Sequence, residues 1–190
     1  MKGIVFTELI EMVEKDLGFE IADRMISNSN TPNAGAYTTV GTYDHRELIE
    51  LVVSLSGESG IPVAELVRIF GKHLFQTFVR LYPGFFERVE TALDFLPSIE
   101  TYIHVEVRKL YPDAELPTFQ SERTESGLTL TYQSKRPFAD LAEGLILAAI
   151  DHFGDTLSLR RIDLDKQDGT AARFELIEKS QSALTEGIHA

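Results

Sequence analysis

The stretch Gly127-Leu128-Thr129-Leu130-Thr131-Tyr132-Gln133-Ser134-Lys135-Arg136 alternates strictly, with Leu128, Leu130, Tyr132, Ser134 and Arg136 on one side and Thr129, Thr131, Gln133 and Lys135 on the other. A period of two rich in Thr and Tyr is the mark of a strand with one polar face. Phe119 to Arg123 can pair with it through a turn around Thr124 to Gly127. Beyond it, a helical run from Pro137 to Phe153 is closed by Gly154, and Leu157 to Leu164 with Ala172 to Ile177 form a hairpin around Gln167-Asp168-Gly169. This part therefore reads β-β-α-β-β, a small antiparallel sheet with one helix.

Upstream, the pattern is helical. Phe6, Leu9, Ile10, Val13 and Leu17 recur at helical spacing, with Glu8, Glu11, Glu14 and Lys15 between them, until Gly18 stops the run. A second helix is expected from Phe19 to Ile26, followed by a turn-forming loop. Asp44 suits an N-cap for a helix reaching Leu55, with a break at Ser56-Gly57-Glu58-Ser59-Gly60-Ile61-Pro62. Pro62 suits the first turn of a long helix buried through Val63, Leu66, Phe70, Leu74, Phe78 and Leu81. A short helix is expected from Phe86 to Phe95, and after Pro97 another from Ser98 to Tyr111, with Ile99, Ile103, Val107 and Leu110 as its buried stripe. The fold class is α+β: a helical N-terminal lobe of about residues 1–62, a lobe of about 63–180 carrying the sheet, and a frayed tail at 181–190.

With 43% hydrophobic and 25% charged residues in 190, the composition is that of a single globular domain with a sizeable core. Eighteen Lys and Arg against 30 Asp and Glu leave a formal charge of −12, which repels phosphate backbones and anionic headgroups; neither nucleic acid nor a membrane is an expected partner. The chain has no cysteine, which removes disulfides, iron–sulfur clusters and thiolate metal sites. Glu8 interrupts the only N-terminal apolar stretch before a signal peptide could form, so a cytoplasmic location is expected.

Metal ligands must then be His, Asp or Glu. None of the five histidines pairs with another at zinc-helix spacing. His104 is the informative one, since it lies at the edge of the stripe through Ile103 and could project an imidazole into a cavity. Taken alone, such a residue is more often a hydrogen-bonded boundary histidine. A lone neutral imidazole without carboxylate companions is nevertheless what a haem iron takes on its proximal side. At the strand end, Tyr132, Ser134 and Arg136 turn an apolar face into three successive hydrogen-bond donors suited to carboxylates, although a strand end emerging into water is the plainer reading of three residues alone. A hydrolase triad built on Ser134 lacks the strand-to-helix elbow it would need.

Taken together, Met1-Lys2-Gly3-Ile4-Val5-Phe6, His104 in Ile103-His104-Val105-Glu106-Val107-Arg108-Lys109-Leu110-Tyr111-Pro112, Pro117, the Tyr132-x-Ser134-x-Arg136 triplet and the helix starting at Pro137 with Gly144-Leu145 resemble the H-NOX family of haem nitric oxide/oxygen binding domains. The resemblance covers the chain from Met1 to at least Phe174. It implies haem b between the lobes, His104 as proximal iron ligand, Tyr132, Ser134 and Arg136 on the propionates, and Pro117 pressing the macrocycle out of plane. It also implies a distal wall of Val5, Leu9, Leu74, Phe78, Leu141 and Leu145. The oxygen-binding branch of the family places a tyrosine at the position of Leu141, so nitric oxide, with carbon monoxide as a further ligand, is the expected gas. Tyr37 or Tyr43 could still approach from the N-terminal lobe, and Asp44 is placed to steady Arg136. Ending at Ala190, the chain is expected to be a stand-alone bacterial sensor acting on a separate histidine kinase or diguanylate cyclase, and not an enzyme. Two alternatives remain: a haem enzyme of peroxidase type, which would need distal acid–base residues, and a haem-free module taking an apolar ligand.

Overall fold

The computed structural model describes residues 1–165 and 169–179. The expected turn residues Gln167 and Asp168 and the tail from 181 lie outside the described residues, but the hairpin they join is present. Helices α1 (Gly3–Leu17), α2 (Phe19–Asn28), α3 (His45–Ser59) and α4 (Val63–Leu81) come first, then α5 (Ala92–Ser98) and α6 (His104–Leu110), strands β1 (Thr118–Thr124) and β2 (Gly127–Gln133), α7 (Ala139–Phe153), and strands β3 (Leu157–Asp163) and β4 (Ala171–Glu178). The sheet is antiparallel throughout in the order β1-β2-β4-β3, as expected for an α+β chain of this pattern. Among the described residues no helix is long and apolar enough to cross a membrane.

The apolar residues gather in two cores. One joins α1, α2 and α3 to one face of α4 through Phe6, Leu9, Met25, Leu51, Leu55, Phe70 and Leu74. The other packs α5, α7 and Phe75 of α4 on the inner face of the sheet, where Leu128, Leu130 and Tyr132 of β2 lie beside Phe174 and Leu176 of β4. Leu145 of α7 packs against both. Helix α4 thus serves both cores, and it crosses α7 at Gly71 and Gly144, where a Cβ on Gly71 would come within 2.5 Å of the Leu141 carbonyl oxygen.

Several boundaries differ from the expectation, each for a local reason. Asp44 does cap α3, its Oδ1 accepting from the Arg46 amide at 2.9 Å, but the helix runs through Gly57 to Ser59 and ends at Gly60, which takes the left-handed φ of 72°. No helix covers Phe86–Glu90. A 3₁₀ turn occupies Pro83–Phe85, and α5 starts after Thr91, whose Oγ1 accepts from the Asp94 amide at 3.2 Å.

Pro97 does not separate two helices. It sits inside α5, and the chain continues through a π-helical turn, Ile99–Ile103, into α6. The extra residue of such a turn rotates everything after it by about 100° around the axis. That rotation carries Leu110 out to 63% exposure and turns His104 inward, to 8%. Ile99 and Ile103 stay half-buried against the sheet core. Strand β2 also ends earlier than the alternation suggests, at Gln133. Ser134 donates its amide to the Thr170 carbonyl, and its Oγ then accepts from the Arg136 amide at 3.0 Å, so the chain has begun the turn into α7. Ser134 and Arg136 are therefore turn residues and do not continue the face of Tyr132.

Candidate functional site

His104 opens α6 directly after the π turn. Its Nδ1 lies 3.0 Å from Glu100 Oε2. A carboxylate only accepts, so Nδ1 carries the proton, and in the neutral ring Nε2 presents a lone pair; among the described residues Nε2 makes no hydrogen bond. Burial lowers the pKa of His104 against the raising effect of Glu100. Burial would raise Glu100, but the bonds it accepts from His104 and from the Phe119 amide hold it below the usual range for a glutamate. Sequence reasoning missed Glu100, although its position four residues before the histidine was a readable signal.

The other described histidines are already engaged. His45 Nδ1 faces Asp44 at 3.2 Å, His73 Nε2 faces Glu8 at 3.1 Å, and the His152 ring packs edge-on to Phe75, Phe86 and Phe153. Among the described residues, no three His, Asp or Glu side chains converge as a metal cluster would. A single buried imidazole bonded at Nδ1 and open at Nε2 fits haem iron, which takes one such ligand from a protein.

A row of rings ties His104 to the strand end. Its imidazole lies 6.1 Å from the Phe119 ring, and Phe119 lies 5.5 Å from Tyr132, its register partner across β1 and β2. Tyr132 is 2% exposed, donates its hydroxyl to the Arg136 carbonyl at 3.4 Å, and has its pKa raised chiefly by burial. The structure thus keeps Tyr132, Ser134 and Arg136 together through backbone contacts of the turn. Arg136 is steadied by Glu115, not by Asp44: Nη2 donates to Glu115 Oε2 at 2.7 Å and Nη1 to the Glu115 carbonyl at 3.3 Å. Asp44 is occupied as a helix cap. Pro117 is half-buried in the same α6–β1 segment, immediately before the first paired residue of β1. Lys2 reaches that segment from the N-terminus, 3.3 Å from Asp113.

The six apolar residues expected to face the gas do collect in one core. Leu9 and Leu74 lie within it, and Val5, Phe78, Leu141 and Leu145 pack against it. The two tyrosines of this region are spoken for, since Tyr37 donates to Glu47 Oε2 at 2.9 Å and the Tyr43 hydroxyl accepts from the Thr38 amide at 2.9 Å. Glu8 departs from expectation. It is 6% exposed, with Oε2 accepting from Thr77 Oγ1 at 2.5 Å and Oε1 3.6 Å from Arg80. Because Glu8, His73 and Thr77 each adjoin one of Leu9, Leu74 and Phe78 in sequence, a polar strut runs beside the apolar wall and pins α1 to α4.

The profile of the family described as haem-NO-binding matches residues 2–161. Among solved structures, the Fe(II) unliganded H-NOX protein from K. algicida is 35% identical, with a TM-score of 0.89 over 96% of this chain and 98% of its own. The H-NOX from Shewanella woodyi, solved in solution with IWP-051 bound in the Fe(II)CO ligation state, is 39% identical, with a TM-score of 0.81 over 100% and 99%. An H-NOX protein from S. oneidensis in the Fe(II)NO state shares the fold at 24% identity, with a TM-score of 0.79 over 93% and 99%. Curated proteins give no significant match. Fold and relatives define a haem-type sensor domain. The chain belongs to the H-NOX, or haem-NO-binding, family.

Proposed function

We propose that this chain binds ferrous haem b through His104 alone and senses nitric oxide, with carbon monoxide as a further ligand. The observation that carries the reading is the setting of His104: buried, with its pKa lowered by that burial, held at Nδ1 and open at Nε2. Haem held in this way would supply one open coordination position for a diatomic gas on the face away from His104. Arg136, Ser134 and Tyr132 would hold the propionates, Pro117 would lean on the macrocycle, and Val5, Leu9, Leu74, Phe78, Leu141 and Leu145 would line the gas side.

Signalling follows from where His104 sits. Losing its hold on iron would free the α5–α6 rod and shift the balance between two arrangements of residues 1–62 against residues 63–180. A separate histidine kinase or diguanylate cyclase would read that balance, in a cytoplasm that suits a cysteine-free chain. A peroxidase reading has less support, because the acid–base pair Glu8 and His73 bond each other. His73 opens onto a surface pocket of about 350 Å³ with Met12, Asp16, Lys72 and Asp151, which includes none of the wall residues.

The test is an absorption spectrum of the reduced, haem-supplied full chain, with and without nitric oxide, beside that of His104→Gly. The variant should hold haem poorly and recover it with free imidazole. A normal histidine-ligated ferrous spectrum in His104→Gly without imidazole would overturn the assignment.

A further inference from the structure

Glu100 is bonded more fully than a helical surface glutamate needs to be. Oε2 accepts from His104 Nδ1 at 3.0 Å and from the Phe119 amide at 3.2 Å, while Oε1 accepts from Arg108 Nη2 at 3.4 Å. Phe119 belongs to β1, an edge strand, so Glu100 takes up an N–H that the sheet leaves unpaired. The edge of the sheet, the carboxylate and the imidazole form one hydrogen-bonded chain, with an arginine drawing on the far oxygen.

We propose that Glu100 is the positioning residue of the iron site: it fixes His104 in the tautomer that presents Nε2, and by drawing on the Nδ1 proton it strengthens the hold of Nε2 on iron. The proposal rests on the reading of His104 as the ligand. Such a second partner orients a ligating imidazole and raises its basicity, and its loss typically costs about 10–100-fold in metal affinity. Arg108 competes for the same carboxylate, so it limits how strongly Glu100 draws on the ring. Glu100 and Arg108 together would thus set how firmly His104 holds the iron.

Glu100→Gln tests this with little risk to the fold, because the amide oxygen still accepts from Phe119 while the charge is gone. Arg108→Ala tests it in the opposite sense. In the haem-loaded ferrous full chain, the iron–imidazole stretch measured by resonance Raman should fall in Glu100→Gln and rise in Arg108→Ala. Glu100→Gln should also hold haem about tenfold less tightly. Equal stretching frequencies in wild type and Glu100→Gln would overturn the proposal, as would shifts of the same sign in both variants. A second measurement needs no haem: two-bond ¹⁵N–¹H spectra of the full chain should show His104 protonated at Nδ1 in wild type and in Glu100→Gln, whose amide oxygen still accepts there, and as a tautomer mixture in Glu100→Leu, which has no acceptor. Wild type protonated at Nε2 would refute the positioning role, whereas failure of the wild-type chain to take up haem would refute the haem reading and leave the tautomer result to stand on its own.

Discussion

Gly71 and Gly144 lie back to back where α4 crosses α7, so close that a Cβ built on Gly71 would come within 3.0 Å of the Gly144 Cα. A Cβ on Gly144 would fall inside van der Waals contact with the Arg68 carbonyl oxygen. The two glycines let the backbones touch, and the same two helices carry Leu74 and Phe78 on one side and Leu141 and Leu145 on the other. Gly144→Ala must therefore part the helices and should destabilise the protein by about 1–3 kcal/mol in urea unfolding. Gly57→Ala is the control: it sits in α3 with open space around it, and alanine there should stabilise by about 0.4–1 kcal/mol. Equal stability of Gly144→Ala and wild type would mean that this crossing is not tightly packed.

Sequence periodicity carried the reading of this fold wherever one residue pattern met one element. The alternation from Leu128 to Tyr132 and the helical spacing from Phe6 to Leu17 needed no tertiary information, and both elements stand where they were expected. The π turn before His104 is different. Its wider winding leaves no mark on the hydrophobic pattern, so the stripe through Leu110 came out on the wrong side. Buried polar partnerships were equally hidden. Glu8 reads as part of a solvent face until Thr77 and His73 arrive from α4, and Glu115 bonds Arg136 from 21 residues away. Of the residues expected at the site, His104 and the Tyr132, Ser134, Arg136 triplet stood out from the residue pattern itself, while the resemblance joined them to one cofactor and added Pro117; the bonds that hold them were not legible.

At the turn proposed to hold the propionates, Arg136 should matter more than Ser134. A charged donor to a carboxylate contributes about 1.5–3 kcal/mol, against about 1 for a neutral hydrogen bond. The Ser134 hydroxyl, moreover, is engaged in bracing the turn through the Arg136 amide, so its loss acts partly through Arg136. Haem should transfer to an excess of an apo-haem acceptor faster from Arg136→Ala than from Ser134→Ala. Equal transfer rates would remove Arg136 from this role.

Tyr37 gives a pH signature for the N-terminal core. Burial, and then the neighbouring Glu47 carboxylate, push its phenol from 10.0 up to about 12, partly offset by a bond to Thr31. The folded chain therefore keeps a proton that the unfolded chain releases, so stability from this group is intact below pH 10, falls as the pH rises from 10 towards 12, and levels off above that. Urea midpoints of wild type should decline across that window more steeply than those of Tyr37→Phe. Burial also raises Tyr82 and Tyr132, so phenolate absorbance should show a late-titrating fraction that shrinks by one tyrosine in Tyr37→Phe. Parallel midpoints in the two proteins would show that Tyr37 is not held as described.

The wall proposed to face the gas yields the sharpest prediction about the ligand. Leu9 is 1% exposed and Leu74 2%, Leu141 and Phe78 pack on the same core, and the hydroxyls of Tyr37 and Tyr43 are engaged by Glu47 and Thr38. Glu8, the buried acid nearest in sequence, is satisfied by Thr77 and His73. Dioxygen at a ferrous centre becomes polarised and gains about 1.5–3 kcal/mol from a hydrogen-bond donor, roughly one to two decades in affinity, whereas nitric oxide needs little such help. A wall without donors favours nitric oxide without excluding oxygen by size. Reduced protein exposed to air should therefore keep its unliganded ferrous spectrum and change on addition of nitric oxide or carbon monoxide. Leu141→Tyr, which places a phenol on α7 facing this wall, should raise oxygen affinity by about one to two decades. A stable oxygenated spectrum in wild type would mean that a donor reaches the gas from elsewhere, and the assignment of Leu9, Leu74 and Leu141 as the gas wall would fall with it.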